Sequence, residues 1–249
     1  MGRRRLSVSP LVEALLSNRS ATAAGLTEEA LVECGSRVSL VSDYLQPALY
    51  AISELWYQGA IRTSEERNAS EIIEGIVAEL RPTPVRAQVE EGSRMVLAGL
   101  DGEQHLLGMR IVGLVLLDEG WEVDLLPPDH FGDLVEHVEQ TRPQVVGISC
   151  GYLPEPHHLA RTVAAIHASR CQVMVGGPAL NRVPGLWSRL GADAVGVDAR
   201  VAAVVARQQL ARWKRRAAIE ERFGRRPGTF HGQRRLPGLA RNGSTTKRR

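Results

Sequence analysis

Three short stretches of this 249-residue sequence hold the side chains best suited to chemistry. The first is Gly99-Leu100-Asp101-Gly102-Glu103-Gln104-His105-Leu106-Leu107-Gly108, which contains Glu103-x-His105-x-x-Gly108. A neutral imidazole is a good ligand for a transition metal. A carboxylate two residues away can accept a hydrogen bond from the other ring nitrogen, fixing the tautomer and strengthening the donor. Gly108 leaves room for something bulky against a helix start. A capping loop that carries a surface histidine is the alternative reading. The second stretch is Ser149-Cys150-Gly151, followed by Glu155, and the third is Gly176-Gly177-Pro178. A double glycine after a strand lets a group enter between sheet and helix.

These stretches need elements to hold them. From Arg94 onward, short apolar runs alternate with helical segments. Strands are predicted at Arg94–Ala98, Glu122–Leu126, Val145–Ser149, Gln172–Val175 and Ala194–Val197. Helices are predicted near 105–119, 130–141, 155–169, 181–190 and from 199, with Val201, Val204, Val205, Leu210 and Trp213 as the last helix's apolar stripe. Five βα units imply an α/β, doubly wound, five-stranded parallel sheet of Rossmann or flavodoxin type. In such folds a ligand sits beyond the carboxyl ends of the strands, where all three stretches fall.

The first third reads as a helical bundle. Ser9-Pro10 is a helix start with Ser9 as cap, and Thr27-Glu28-Glu29-Ala30 reads as a second start. Val38–Trp56 carries one apolar stripe closed by Gly59. Thr63 or Ser64 caps a last helix bearing Ala69, Ile72, Ile73, Ile76, Val77 and Leu80. Arg81-Pro82-Thr83-Pro84 then forbids helix continuation, so a linker is expected over about 81–92. The domains expected are 1–86, a helical bundle; 87–223, the α/β domain; and 224–249, a basic disordered segment.

Composition removes several function classes. Hydrophobic residues are 43% and charged residues 24%, enough for a packed core. Three scattered cysteines give neither a disulfide framework nor a zinc pair, and a cytoplasmic setting is the natural reading. No apolar run is long enough to span a bilayer, and Met1–Leu6 lacks the features of a secretory or myristoylation signal. Neither GxGxxG nor a P-loop is present. Aromatics at 4% argue against a surface built to stack bases. Trp121 and Trp187 read as packing residues, Cys150 as a small buried thiol, and His157-His158 as side chains pointing apart. The net charge of +3 is unevenly distributed: residues 207–249 hold fourteen Arg or Lys against two Glu, leaving −9 on the remainder. That segment is read either as an electrostatic attachment to nucleic acid or an acidic partner, or as a solvated extension.

Residues 90–206 resemble the cobalamin-binding domain of corrinoid proteins, whose pattern is Asp-x-His-x-x-Gly, then Ser-x-Leu, then Gly-Gly, each after a strand. Here these are Glu103-Gln104-His105-Leu106-Leu107-Gly108, Ser149-Cys150-Gly151 and Gly176-Gly177. The resemblance implies that the cobalamin nucleotide tail leaves cobalt and enters a slot by Ser149, Gly176 and Gly177. His105 then becomes the lower metal ligand, with Glu103 as its partner. Trp56, nine residues, then Glu66 is similar to the helical cap of cobalamin-dependent photoreceptor transcription regulators, which implies that Trp56 and Glu66 face the upper ligand. Together the two likenesses cover about 190 residues. Departures are informative: Glu103 replaces Asp, Gly151 replaces Leu, Glu155 stands where methyl carriers place a second Ser, and Arg67 replaces the cap His. The chain also lacks those regulators' N-terminal DNA-binding domain.

The expected cofactor is adenosylcobalamin or methylcobalamin. The favoured expectation is a cobalamin-dependent, light- or supply-responsive sensor without turnover, acting through a protein partner, with nucleic acid reached through the basic segment and self-association left open. The alternative is a corrinoid methyl carrier serving separate methyltransferases. A mutase small subunit is the third reading.

Overall fold

The computed structural model describes residues 6–80, 89–100, 107–126, 131–151, 153 and 155–223. Helix α1 (Ser9–Leu16) starts at the predicted Ser-Pro, with Val8 rather than Ser9 at the cap position. Thr27 does not start a helix, because α2 (Ser20–Cys34) runs through it. The buried Thr27 hydroxyl donates to the Ala23 carbonyl at 2.8 Å, so a helical carbonyl one turn back takes the group that would otherwise cap.

The stripe predicted over Val38–Trp56 forms one rod in three parts: α3 (Arg37–Leu40), a π-helical turn (Val41–Leu45) and α4 (Gln46–Tyr57). Pro47 has no N–H to return to the carbonyl four residues back, so the ladder is interrupted there. The Gln46 amide instead reaches five residues back, to the Val41 carbonyl. Gly59 ends the rod at φ +70°. The predicted Thr63 or Ser64 cap is not formed. Helix α5 (Thr63–Glu79) is capped from Glu65, whose carboxylate accepts the Arg62 amide at 2.7 Å. Leu11, Leu15, Leu40, Leu45, Ile52 and Ile73 are fully buried between these helices, each worth about 1.5–3 kcal/mol of burial.

The α/β part follows the predicted alternation: β1 (Arg94–Gly99), α6 (Leu107–Asp118), β2 (Glu122–Leu126), α7 (Phe131–Thr141), β3 (Val145–Ser149), α8 (Pro156–Ala168), β4 (Gln172–Gly176), α9 (Pro178–Asn181), α10 (Leu186–Arg189), β5 (Ala194–Gly196) and α11 (Ala199–Phe223). The helix predicted near 181–190 is two short helices, because Pro184 and Gly185, at φ +76°, interrupt it. All strand pairs are parallel, in the order β2-β1-β3-β4-β5. Strand order reverses between β1 and β3, which makes their carboxyl ends the switch point.

One sheet face packs on α7, α8 and α9. The other packs on α6 and α11, and its core runs without interruption into the helical bundle. Helix α11 meets the sheet through Ala199, Ala202, Ala203, Ala206 and Leu210 rather than through the predicted valines, of which Val204 is exposed. Its close approach is the reason. A Cβ on Gly196 would stand 2.9 Å from the Ala202 Cβ. The linker expected over 81–92 lies outside the described residues at 81–88, as do the 86/87 boundary and the whole of 224–249.

Candidate functional site

Every strand from the switch point outward ends in a small residue. The register pairs Gly99 with Ser149, Ser149 with Gly176, and Gly176 with Gly196. Paired residues of parallel strands project to one face, and here that is the face covered by α6 and α11. Across four strands the row therefore contributes a single hydroxymethyl group. Behind it the packing is complete: a Cβ on Gly147 would lie 2.6 Å from Leu97 Cδ2 and 2.8 Å from Met95 Cε. Ser149 and Gly176 are half-buried at the carboxyl end of the sheet, and a Cβ on Gly176 would stand 2.7 Å from the Gly196 carbonyl oxygen. Gly108, in the first turn of α6, is exposed, and a Cβ there would meet nothing within 4 Å.

Gly177 is held for a different reason. It lies at φ +104°, and a Cβ there would stand 2.4 Å from the Cys150 carbonyl oxygen. The Cys150 amide donates to the Gly176 carbonyl at 2.9 Å, and the Ala179 amide donates to the Cys150 carbonyl at 3.2 Å. Gly177 thus lets two strand-to-helix loops touch backbone to backbone, and Gly176 likewise lies close against the Gly196 carbonyl. Glu103 and His105 lie outside the described residues, between β1 and α6 in the sequence.

The bundle reaches this end of the sheet through α4. The Gln46 side-chain oxygen accepts the buried Ala199 amide at 3.1 Å, and its nitrogen donates to the Tyr50 hydroxyl at 3.3 Å. Burial and the Asp198 carboxylate push the Tyr50 phenol above its ordinary 10.0, against a lowering hydrogen bond from Gln46. Arg200 pairs with Asp43 at 2.9 Å, and the Arg182 guanidinium lies 4.8 Å over the Tyr57 ring. Trp56 is 42% exposed, and its indole N–H donates to Thr63 Oγ1 at 3.2 Å. Glu66 is 9% exposed and accepts the Ser70 hydroxyl at 3.0 Å. Trp56 thus stands as an open aromatic surface on the bundle and Glu66 as a carboxylate held inside it. Arg67 points to solvent.

Other sequence expectations resolve simply. Trp121 is buried and Trp187 packs against the core. Glu155 is exposed and pairs with His157 at 3.3 Å, away from any relay. Cys34, Cys150 and Cys171 form no disulfide with one another. Burial pushes the Cys171 thiol up to about 11. No helix among the described residues is long and apolar enough to cross a membrane. Sequence reasoning missed Gly99 and Gly196 in the row of strand ends, although a small residue at each of these ends was a visible signal. It also missed Gln46 and Tyr50, for which no local signal exists.

Small residues at four strand ends and an exposed tryptophan on the bundle are the features that the two domains offer a ligand. Comparison with known proteins agrees. A family model described as the B12 binding domain matches residues 93–206, and a second model, also described as a B12 binding domain, matches residues 9–81. Methionine synthase of Mycobacterium tuberculosis is 24% identical over 151 residues, 58% of this chain and 13% of that enzyme. Methionine synthase of Mycobacterium leprae is 23% identical over 155 residues, with the same shares. The chain thus spans only 13% of the length of these curated relatives. Among solved structures, the monomethylamine corrinoid protein of Methanosarcina barkeri shares the fold, with a TM-score of 0.68 and 17% identity over 80% of this chain and 96% of that one. The chain carries a pair of B12-binding domains, a helical bundle followed by a five-stranded α/β domain, and its cofactor is a corrinoid of the cobalamin type.

Proposed function

We propose that the chain is a corrinoid carrier that holds cobalamin and presents it to separate methyltransferases. The observation behind this reading is the extent of the likeness to the corrinoid protein of Methanosarcina barkeri, which runs through both domains and nearly all of that protein's length. A bound cobalamin supplies a cobalt centre able to accept a methyl group and pass it on. His105 would hold the cobalt, and Glu103 would fix its tautomer by accepting from the second ring nitrogen. Ser149 and Gly176 would receive the nucleotide tail, with Gly177 holding the neighbouring loops together and Gly108 giving clearance beside α6. Trp56 would cover the bound cofactor and exclude water, with Glu66 as an acidic group on the same bundle. The partners on this reading are cobalamin and a methyltransferase, in the reducing cytoplasm that cysteines without disulfides suit.

A second reading, a light- or supply-responsive regulator, rests on Glu103 in place of Asp, on the Leu106-Leu107 stretch after His105, and on the Trp56–Glu66 spacing. One experiment separates the two. The full chain is loaded with methylcobalamin in the dark and given a cobalamin-dependent methyltransferase with its thiol acceptor. The carrier reading expects demethylation of the protein-bound cofactor, followed in the visible spectrum, to outpace that of free methylcobalamin. No acceleration, with a light-dependent change in elution volume, replaces it by the regulator. For the site itself, a base-off spectrum in the wild type and its loss in His105→Ala is the expected result. An unchanged spectrum removes His105 as ligand.

A further inference from the structure

Helix α11 is 25 residues long, but its buried residues stop at Leu210. The last thirteen residues, 211–223, run on beyond the core and divide by charge. Some bases meet acids: Lys214 with Glu90 at 2.6 Å, the exposed Arg216 with Glu220 at 3.4 Å, and Arg170, from the turn after α8, with the same Glu220 at 2.5 Å. Arg212, Arg215 and Arg222 are exposed and fall at helical spacing on one outward stripe. Among the described residues none of the three forms an ion pair. Arg212 donates to the buried Gln209 side chain at 3.5 Å and its charge is felt at Asp193, and Arg222 lies over the Phe223 ring at 5.8 Å. From Arg212 to Arg222 the stripe extends roughly 15 Å.

From this division we infer that the outer half of α11 is a docking edge for the phosphate backbone of duplex DNA. Arginine dominates: of the fourteen basic residues from 207 onward only Lys214 and Lys247 are lysines. The guanidinium fork matches phosphate oxygens in pairs, which a lysine point charge does not. The sequence continues the same chemistry, since residues 224–249 contain eight Arg or Lys and no Asp or Glu. Duplex is favoured over single strands because the stripe has no stack of aromatic rings to receive unpaired bases. It is favoured over an anionic membrane because Ile219 and Phe223 are the exposed large apolar residues beside that stripe, short of the broad apolar face that a membrane-lying helix buries. Contact through phosphates alone carries no sequence information. The function is therefore tethering of the cobalamin-binding body to DNA rather than selection of a site.

The test uses the full, cobalamin-loaded chain and a 30-base-pair duplex of arbitrary sequence. Binding is measured by fluorescence anisotropy between 50 and 200 mM salt, beside single-stranded RNA and phosphatidylserine vesicles. Duplex is expected to bind tightest, with affinity falling steeply as salt rises. R212Q/R215Q/R222Q is expected to weaken duplex binding at least about tenfold at the lower salt and to flatten the log–log salt slope by about 2 to 3, one phosphate contact per arginine. An unchanged cobalamin spectrum in that variant shows that the body is intact. E28Q/E29Q/E33Q, on α2, serves as a control that alters charge elsewhere and leaves the slope unchanged. Equal binding by wild type and arginine variant overturns the inference. So does tighter binding to RNA or vesicles, or no binding to duplex at 50 mM salt.

Discussion

The Tyr50 hydroxyl on α4 donates to the Val197 carbonyl in the β5–α11 turn at 3.2 Å, joining positions 147 residues apart. The same carbonyl accepts the Asn181 amide at 3.0 Å, and one residue pair further on Gln46 takes the Ala199 amide. The bundle and the α/β domain are therefore tied by directional bonds at the carboxyl end of the sheet as well as by apolar packing on α6.

Gln46→Leu removes the acceptor of a buried N–H and is expected to cost about 1–3 kcal/mol. Tyr50→Phe loses a bond at a half-exposed site and costs about 0.5–1.5 kcal/mol. Chemical denaturation of the apo chain checks both. Equal costs, or a smaller cost for Gln46→Leu, contradict the burial-based ranking.

Gly108 and Gly177 have opposite sensitivities. Gly108→Val places new atoms in open space, so apo stability shifts by no more than about 0.5 kcal/mol while cobalamin affinity drops. Gly177→Ala puts a Cβ against the Cys150 carbonyl at an unfavourable φ and costs about 2–4 kcal/mol before any ligand is added. Thermal melts paired with cobalamin titrations separate the two effects.

The strand ends show what sequence can disclose. Ser149, Gly176 and Gly177 were legible as candidates because each follows an apolar run that reads as a strand. The membership of Ser149 and Gly176 in one row with Gly99 and Gly196 was not, since a row exists only once register is known. Five strands came out nearly at their predicted bounds because short β-branched runs bounded by turns have few other ways to be buried. Thr27 misled because a threonine before two glutamates caps a helix only if the chain upstream is not already helical. Gln46 and Tyr50 were invisible because their partners, Ala199 and Val197, are distant in sequence and offer only backbone atoms.

Asp193 supplies a pH dependence. Burial pushes its carboxyl up, but bonds from His167 at 2.8 Å and from the Val173 amide at 2.7 Å, with the charges of His167 and Arg212, hold it below the ordinary 3.8. A lowered carboxyl stabilises the fold fully above its unfolded value, and that stability is lost as pH falls through the native one. Wild-type stability should decline on acidification below about pH 4. Asp193→Asn should be less stable at pH 7 and show a shallower acid limb. Parallel limbs in urea titrations from pH 7 to 3 count against this assignment.

The thiols should react in order of access. Cys34 is half-buried, whereas Cys150 and Cys171 are buried and Cys171 also donates to the Pro143 carbonyl at 3.1 Å. Iodoacetamide on the native apo chain is expected to label Cys34 alone, read by peptide mass spectrometry. Labelling of Cys171 at a comparable rate points to opening of the β3–β4 edge.

The wide turn at Val41–Leu45 acts as a phase setting. It takes one residue more per turn than the helix on either side, and each residue of α-helix advances the azimuth by about 100°. Winding the same residues as a regular helix would rotate every later side chain on the rod by roughly that angle. Gln46 and Tyr50 would then face away from the β5–α11 turn, and Trp56 would leave its present bearing. The aim of the Trp56 indole is thus fixed upstream of it, by a proline that cannot donate.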